Sequence, residues 1–249
     1  LQSDSGLFAV PQHAINYLES HDDNTMSDFI RIATGEAKEG IKVKASNFKL
    51  SERQLALNKL AALYLFAAQG PVMIHEGQEF ARSKVVAATT AMDTKVGTID
   101  HNSYEKDNET NYLNYEHREL NRDLYDYYRG LIALRKTYPS LLGSASKAQI
   151  MFAETKSDFM IACRITAAAN IASFVPPVLT TQKDTRAAAK SIMVLLNGHQ
   201  KSAMETVLPA GNWRVLANAA KVSTAASGEV VPQGKISVPP VSGMILIEE

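Results

Sequence analysis

The sequence predicts an α/β region followed by an all-β region that closes as an antiparallel β-sandwich. Three observations carry that division: short apolar runs that end abruptly in polar clusters, a long apolar helix between the first pair of them, and a change to short β-rich runs from Lys147 onward. Residues 1–145 are assigned to the first part and residues 146–249 to the second.

The first run, residues 13–18, alternates like a strand and stops at Glu19, Ser20, His21, Asp22, Asp23 and Asn24. A helix is expected next, with Thr25 and Ser27 as candidate N-caps and Met26, Phe29, Ile30 and Ile32 as its apolar residues. Strand, charged turn, helix is one β/α unit, and parallel sheets place functional groups on the edge where such turns lie.

A polar stretch with Gly35 and Gly40 follows and reads as a loop with a solvated lysine face. Ser51 and Gln54 then have capping-box spacing, ahead of the apolar helix LALNKLAALYLFAAQ. Gly70 and Pro71 stop that helix, and Val72, Met73 and Ile74 form a run suited to a buried parallel strand. This second run also ends in polar residues, His75 to Glu79, but the second histidine of a zinc-protease signature is missing. A helix between two buried strands implies a parallel crossover.

Residues 85–117 form a connection far longer than ordinary loops and carry HNSYEKDNETNYLNYE, whose Asn, Asp and Tyr suit either turns or sugar hydroxyls. A helix is expected from Asp123, packing Leu124, Tyr127, Tyr128 and Leu131, with Tyr138 and Pro139 at its end. Beyond it, strands are expected at residues 149–153, 159–165, 191–196, 205–208, 213–217, 236–238 and 244–247. Residues 167–190 read as a long connection. Trp213, alone on its strand, is expected in the core rather than as a sugar platform.

Composition bounds the function. The 249 residues carry 26 basic and 26 acidic side chains, so nothing favours nucleic acid. No run is apolar enough for a membrane span, and the opening LQSDSG does not have the form of a signal peptide. The single cysteine, Cys163, precludes an internal disulfide and is expected as a small buried hydrophobe. The His21, Asp22, Asp23 cluster admits several roles: a capped turn, hydroxyl recognition, stabilisation of positive charge, or proton acceptance. A metal site needs further ligands, and none stands nearby.

NYLESHDDNT resembles the last conserved region of the alpha-amylase superfamily of glycoside hydrolases in its debranching, pullulanase-type form, close to N-Y-x-E-S-H-D-N-x-T. GPVMIHEGQEFARSK is similar to that group's G-I-P-F-x-H-x-G-Q-E-F-x-R-T-K, and YYRGLIALRKTYPSL resembles the helix that closes its barrel. The resemblance implies that residues 1–145 are the C-terminal portion of a (β/α)8 barrel, about its last two β/α units, ahead of the sandwich. It implies that His21 contacts the sugar at the cleavage point and that Asp22 is the transition-state-stabilising catalytic carboxylate. Asp23 stands where asparagine is usual and takes no role. Gln78, Glu79, Arg82 and Lys84 match by position and are expected as structural anchors, with Glu79 pairing Arg82 or a loop residue. Asn102, Ser103, Tyr104 and Asn111 resemble the group's N-S-Y and I-N motifs, making Tyr104 a sugar-contact candidate.

The implied substrate is an alpha-glucan such as pullulan, starch or glycogen, cut at alpha-1,6 branch linkages by a retaining mechanism; alpha-1,4 specificity remains an alternative. No cofactor is implied, and calcium is left open. The nucleophile and acid/base motifs of the superfamily are missing from the sequence, so the chain is expected to be inactive alone and to self-associate through exposed barrel edges. The competing expectation is a non-catalytic carbohydrate-binding or assembly module centred on the sandwich.

Overall fold

The computed structural model describes residues 7–37, 48–88, 92, 94–167, 190–223 and 228–248. The lysine-bearing part of the loop before the long helix and most of the connection at residues 167–190 therefore lie outside the described residues. Helix α1 spans Met26–Ala33, α2 Glu52–Ala67, α3 His117–Leu120, α4 Arg122–Thr137 and α5 Pro139–Leu142. Strands follow as β1 Ile150–Ala153, β2 Met160–Thr166, β3 Ser191–Asn197, β4 Met204–Leu208, β5 Trp213–Ala217, β6 Glu229–Val231, β7 Gly234–Val238 and β8 Ser242–Glu248.

The caps behave as their side chains require. Thr25 accepts the amide of Asp28 at the start of α1, and Ser51 with Gln54 forms a reciprocal capping box on α2. The two expected parallel strands are reduced to a single parallel bridge between Asn16 and Val72. Asn16 N donates to Pro71 O and Met73 N donates to Asn16 O, both at 2.9 Å. Each segment has only the other as a β-neighbour among the described residues, so the ladder does not propagate. Gly70, at φ +91°, lets the chain pass Pro11, whose carbonyl oxygen lies 2.1 Å from where a Cβ would stand.

All eight strands pair antiparallel, six in the order β1-β2-β3-β8-β5-β6 and two as β4-β7. Strand β6, absent from the sequence expectation, is an edge strand of exposed and half-buried residues, and its three residues are too few to announce themselves by alternation.

Both faces of the six-stranded sheet are covered. Cys163, Ile165, Ile192, Val194, Leu196, Ile245 and Ile247 share a core with Leu63, Phe66, Leu124, Tyr128 and Leu131 of α2 and α4. The alternate residues Ala162, Met193, Leu195, Trp213 and Leu246 pack on Met204, Leu208, Ile236 and Val238 of the two-stranded sheet. A register shift between Val215 and Ala217 turns Leu216 and Ala217 together toward the helical side. Gly243 admits α2 closely: a Cβ there would stand 3.3 Å from Leu63 Cδ2 and 2.9 Å from Leu195 O.

Candidate functional site

The polar turn after Asn16 is built from the inside outward. Glu19 is 3 % exposed; its Oε2 accepts the Met26 amide at 2.5 Å, placing a carboxylate at the N-terminus of α1. Its Oε1 faces His75 Nδ1 at 3.4 Å, so both polar clusters meet here. Beyond Glu19 the chain surfaces. His21 Nε2 lies 3.4 Å from Asp22 Oδ2, with side chains 82 % and 73 % exposed. Asp23 takes φ +56°, a left-handed conformation that aspartate tolerates better than most residues.

Lys84, 1 % exposed, holds this turn from below. Its Nζ donates to the carbonyl oxygens of His21 and Asp23, each at 2.8 Å, so the peptides that bracket the Asp22–Asp23 pair are tied to one ammonium group. Burial pushes the Lys84 amine below its ordinary range and neighbouring Arg82 adds to this, while Glu19, Asp28 and Asp22 oppose it. The backbone amide of Lys84 donates to Asp28 Oδ2 at 2.7 Å. Asp28 Oδ1 accepts from the Ser83 hydroxyl at 2.5 Å and from Arg31 Nη1 at 3.2 Å. Thr25 completes the join, its hydroxyl donating to Arg82 O at 2.8 Å.

The second loop is fixed separately. Gly77, at φ +96°, opens a 3-10 turn over Gln78–Phe80, and a Cβ at Gly77 would meet Arg82 Cβ at 2.8 Å. Gln78 Nε2 donates to the Tyr128 hydroxyl at 3.0 Å, anchoring the turn to α4. Glu79 does not pair with Arg82. Its carboxylate accepts the Gly77 amide at 3.0 Å, and burial raises its pKa above the usual carboxylate range, with backbone hydrogen bonds offsetting part of the shift. Arg82 reaches Asn111 O at 3.1 Å instead.

That contact organises the long connection. Asn111 Oδ1 accepts from the Ser103 hydroxyl at 2.7 Å, and Asn111 Nδ2 donates to Ser103 O and Lys106 O. The two loop motifs singled out in the sequence therefore meet. Tyr104 points outward, 73 % exposed, with its hydroxyl donating to Glu105 at 2.9 Å. Among the described residues no hydrogen bond or ion pair joins Tyr104 to His21 or Asp22. A concavity of about 340 Å³ lies beside this loop, between Phe48, Arg82, Tyr112 and His117, and neither His21 nor Asp22 lines it.

No protein-family model matches the chain. Over 140 residues it is 34 % identical to a pullulanase of Bacillus subtilis strain 168, a stretch that covers 56 % of this chain and 16 % of that protein. The chain is similar to pullulanases. The solved pullulanase from Bacillus acidopullulyticus shares the fold, with a TM-score of 0.70 at 22 % identity over 96 % of this chain and 25 % of its own. A pullulanase from Anoxybacillus sp. LM18-11, complexed with maltotetraose, matches with a TM-score of 0.67 at 21 % identity, covering 98 % of this chain and 29 % of its own. The chain thus spans about a sixth of the curated pullulanase it matches, and a quarter to a third of these solved pullulanases.

His21, Asp22 and Lys84 were singled out in the sequence, whereas Glu19 and Asp28 were not read there as buried supports. The signal available was the place of Asp28 in the first turn of α1; Glu19 lies outside the capping positions, and only the fold brings its carboxylate to Met26. Among the described residues no group of three metal-ligating side chains is close enough to hold an ion, and no helix is long and apolar enough to cross a membrane.

Proposed function

We propose that this chain is the C-terminal part of a pullulanase-like glycoside hydrolase that cleaves alpha-1,6 branch linkages in alpha-glucans such as pullulan, starch or glycogen. On this reading residues 1–145 are the last β/α units of a (β/α)8 barrel and residues 146–249 are the sandwich that follows it. The observation that supports it best is the His21 and Asp22 pair, presented to solvent at a parallel-bridged strand end above the buried, hydrogen-bonded side chains of Glu19, Lys84 and Asp28.

The roles follow from chemistry. An imidazole and a carboxylate 3.4 Å apart offer a donor and an acceptor to vicinal hydroxyls of one glucose ring. An ionised Asp22 stabilises the positive charge that develops on the ring as the glycosidic bond breaks. A retaining mechanism additionally requires a nucleophile and a proton donor flanking that bond, and their motifs are missing from this sequence. Hydrolysis therefore needs groups from elsewhere, and Tyr104 would join the sugar only through movement of its loop.

The same reading accounts for apolar side chains left in solvent around the bridge. Ile15, Tyr17 and Met73 are 65 %, 54 % and 40 % exposed, on the segments that a complete barrel would flank with further strands. Self-association through this surface is the expected behaviour of the chain alone.

Titration with maltotetraose, followed by amide shifts of the labelled chain, tests the site. Binding is expected at residues 20–24 and is lost in Asp22→Ala and His21→Ala. Purified chain is expected not to hydrolyse pullulan, and turnover by it would overturn these roles. The alternative of a carbohydrate-binding module centred on the sandwich needs an exposed aromatic platform there; Trp213 does not supply it, being 1 % exposed with its indole donating to Pro209 O at 2.9 Å, which leaves Phe152 and Phe159 as the exposed aromatics of that region.

A further inference from the structure

We propose that Lys84 is a positioning residue for Asp22, acting as a cationic clamp that sets the conformation in which the turn presents its carboxylate. The inference rests on the reading of Asp22 as the sugar-binding carboxylate, and it adds the group on which that presentation depends. Asp22 itself is 73 % exposed and its neighbour Asp23 holds a left-handed backbone, so packing does not hold the turn. What holds it is one ammonium group shared between the carbonyl oxygens of His21 and Asp23. A single cation bonded to the carbonyls of His21 and Asp23 fixes the peptide that enters Asp22 and the one that leaves Asp23, restricting the backbone between them in a way that a contact to the side chain would not.

The clamp is built on a rigid base. Lys84 N is bonded to Asp28 Oδ2, and Asp28 is held by Ser83 and Arg31, so the lysine stem starts from a point locked to α1. The charges facing the ammonium group come from both loops and from α1: Arg82 opposes it, and Glu19, Asp28 and Asp22 favour it. Losing the proton would halve the logic of the site, because a neutral amine donates weakly to two carbonyls and no longer draws Asp22 toward its side of the turn.

The experiment uses the isotopically labelled chain with wild-type sequence, Lys84→Met, Lys84→Arg and the exposed-lysine control Lys49→Met. In Lys84→Met the amides of residues 21–24 are expected to shift and to exchange with water about tenfold faster, with maltotetraose affinity reduced about tenfold. Circular dichroism should stay native, Lys84→Arg should recover part of both losses, and Lys49→Met should match wild type. Unchanged turn amides in a folded Lys84→Met chain overturn the clamp. If the wild-type turn never responds to maltotetraose while Lys84→Met still loosens it, the clamp stands and the sugar-binding reading falls. Should Lys84→Met not fold, the wild type decides: the amides of residues 21–24 must titrate together with the Lys84 side chain at a midpoint below that of ordinary lysines, and independent titration overturns the proposal.

Discussion

The carboxylate of Asp28 accepts the backbone amide of Lys84 at 2.7 Å across 56 positions of sequence, and both residues are fully buried. This one bond ties the helix after the first polar turn to the segment after the second. Because Asp28 also neutralises Arg31, itself 1 % exposed, its removal strands a buried cation as well as an amide and a hydroxyl. Asp28→Ala is therefore expected to destabilise the chain by about 3–5 kcal/mol. Urea unfolding followed by circular dichroism measures it, and a loss near zero would mean that the cluster is solvated.

Trp213 fills the layer between the two sheets, with the Arg164 guanidinium 5.9 Å from its ring. Trp213→Ala is expected to cost about 3–5 kcal/mol through the cavity it leaves. Maltotetraose binding by the remaining folded protein should be unchanged. Loss of binding with stability intact would instead favour the carbohydrate-binding module.

Alkaline stability should report Cys163. Its thiol is fully buried, and burial raises its pKa to about 11 from the ordinary 9.0. A raised folded value means that the native state keeps its proton after the unfolded chain has lost it. The stabilisation is complete below pH 9.0 and is lost as pH climbs to about 11. Tyr127 and Tyr128 are displaced upward by burial in the same direction, so they extend the loss above their ordinary value. Cys163→Ala should remove the part of the decline that begins near pH 9.0, as seen in pH-dependent urea midpoints. The wild-type thiol should resist labelling at neutral pH until the chain is unfolded.

Gly130 lies inside α4, where alanine would ordinarily favour the helix by about 1 kcal/mol. Here an added Cβ would meet Val222 Cβ at 2.5 Å, in the loop after β5. Gly130→Ala is accordingly expected to destabilise by about 1–3 kcal/mol, the overpacking term exceeding the propensity gain. Pairing it with Val222→Gly should recover the overpacking part, which a double-mutant cycle in thermal unfolding would reveal.

Local chemistry was readable where it depends on near neighbours. Thr25 and Ser51 cap helices because the amides that donate to their hydroxyl oxygens lie three residues on, and the apolar alternation after Lys147 placed β1 to β5, β7 and β8 to within a few residues. Residues 13–18 and 72–74 also have strand patterns, yet they meet only at Asn16 and Val72, since strand length is set by how many neighbours pair with it. Strand β6 escaped notice for the opposite reason: it pairs with β5 over three residues, too short a run to show a period.

From its residues alone the chain announces a histidine and aspartate cluster at the end of an expected β/α unit, caps that start helices, and a β-rich region from Lys147 onward. Folding in three dimensions adds which charges are buried. The burial of Asp28 and Glu19 and the partners of Lys84 are not legible in sequence, because the groups that make burial tolerable lie far along the chain: Lys84 meets Asp28, Asp23 and His21 at separations of 56, 61 and 63 residues. A charge leaves water only when opposite charges and hydrogen-bonding groups surround it, and no local pattern encodes that company.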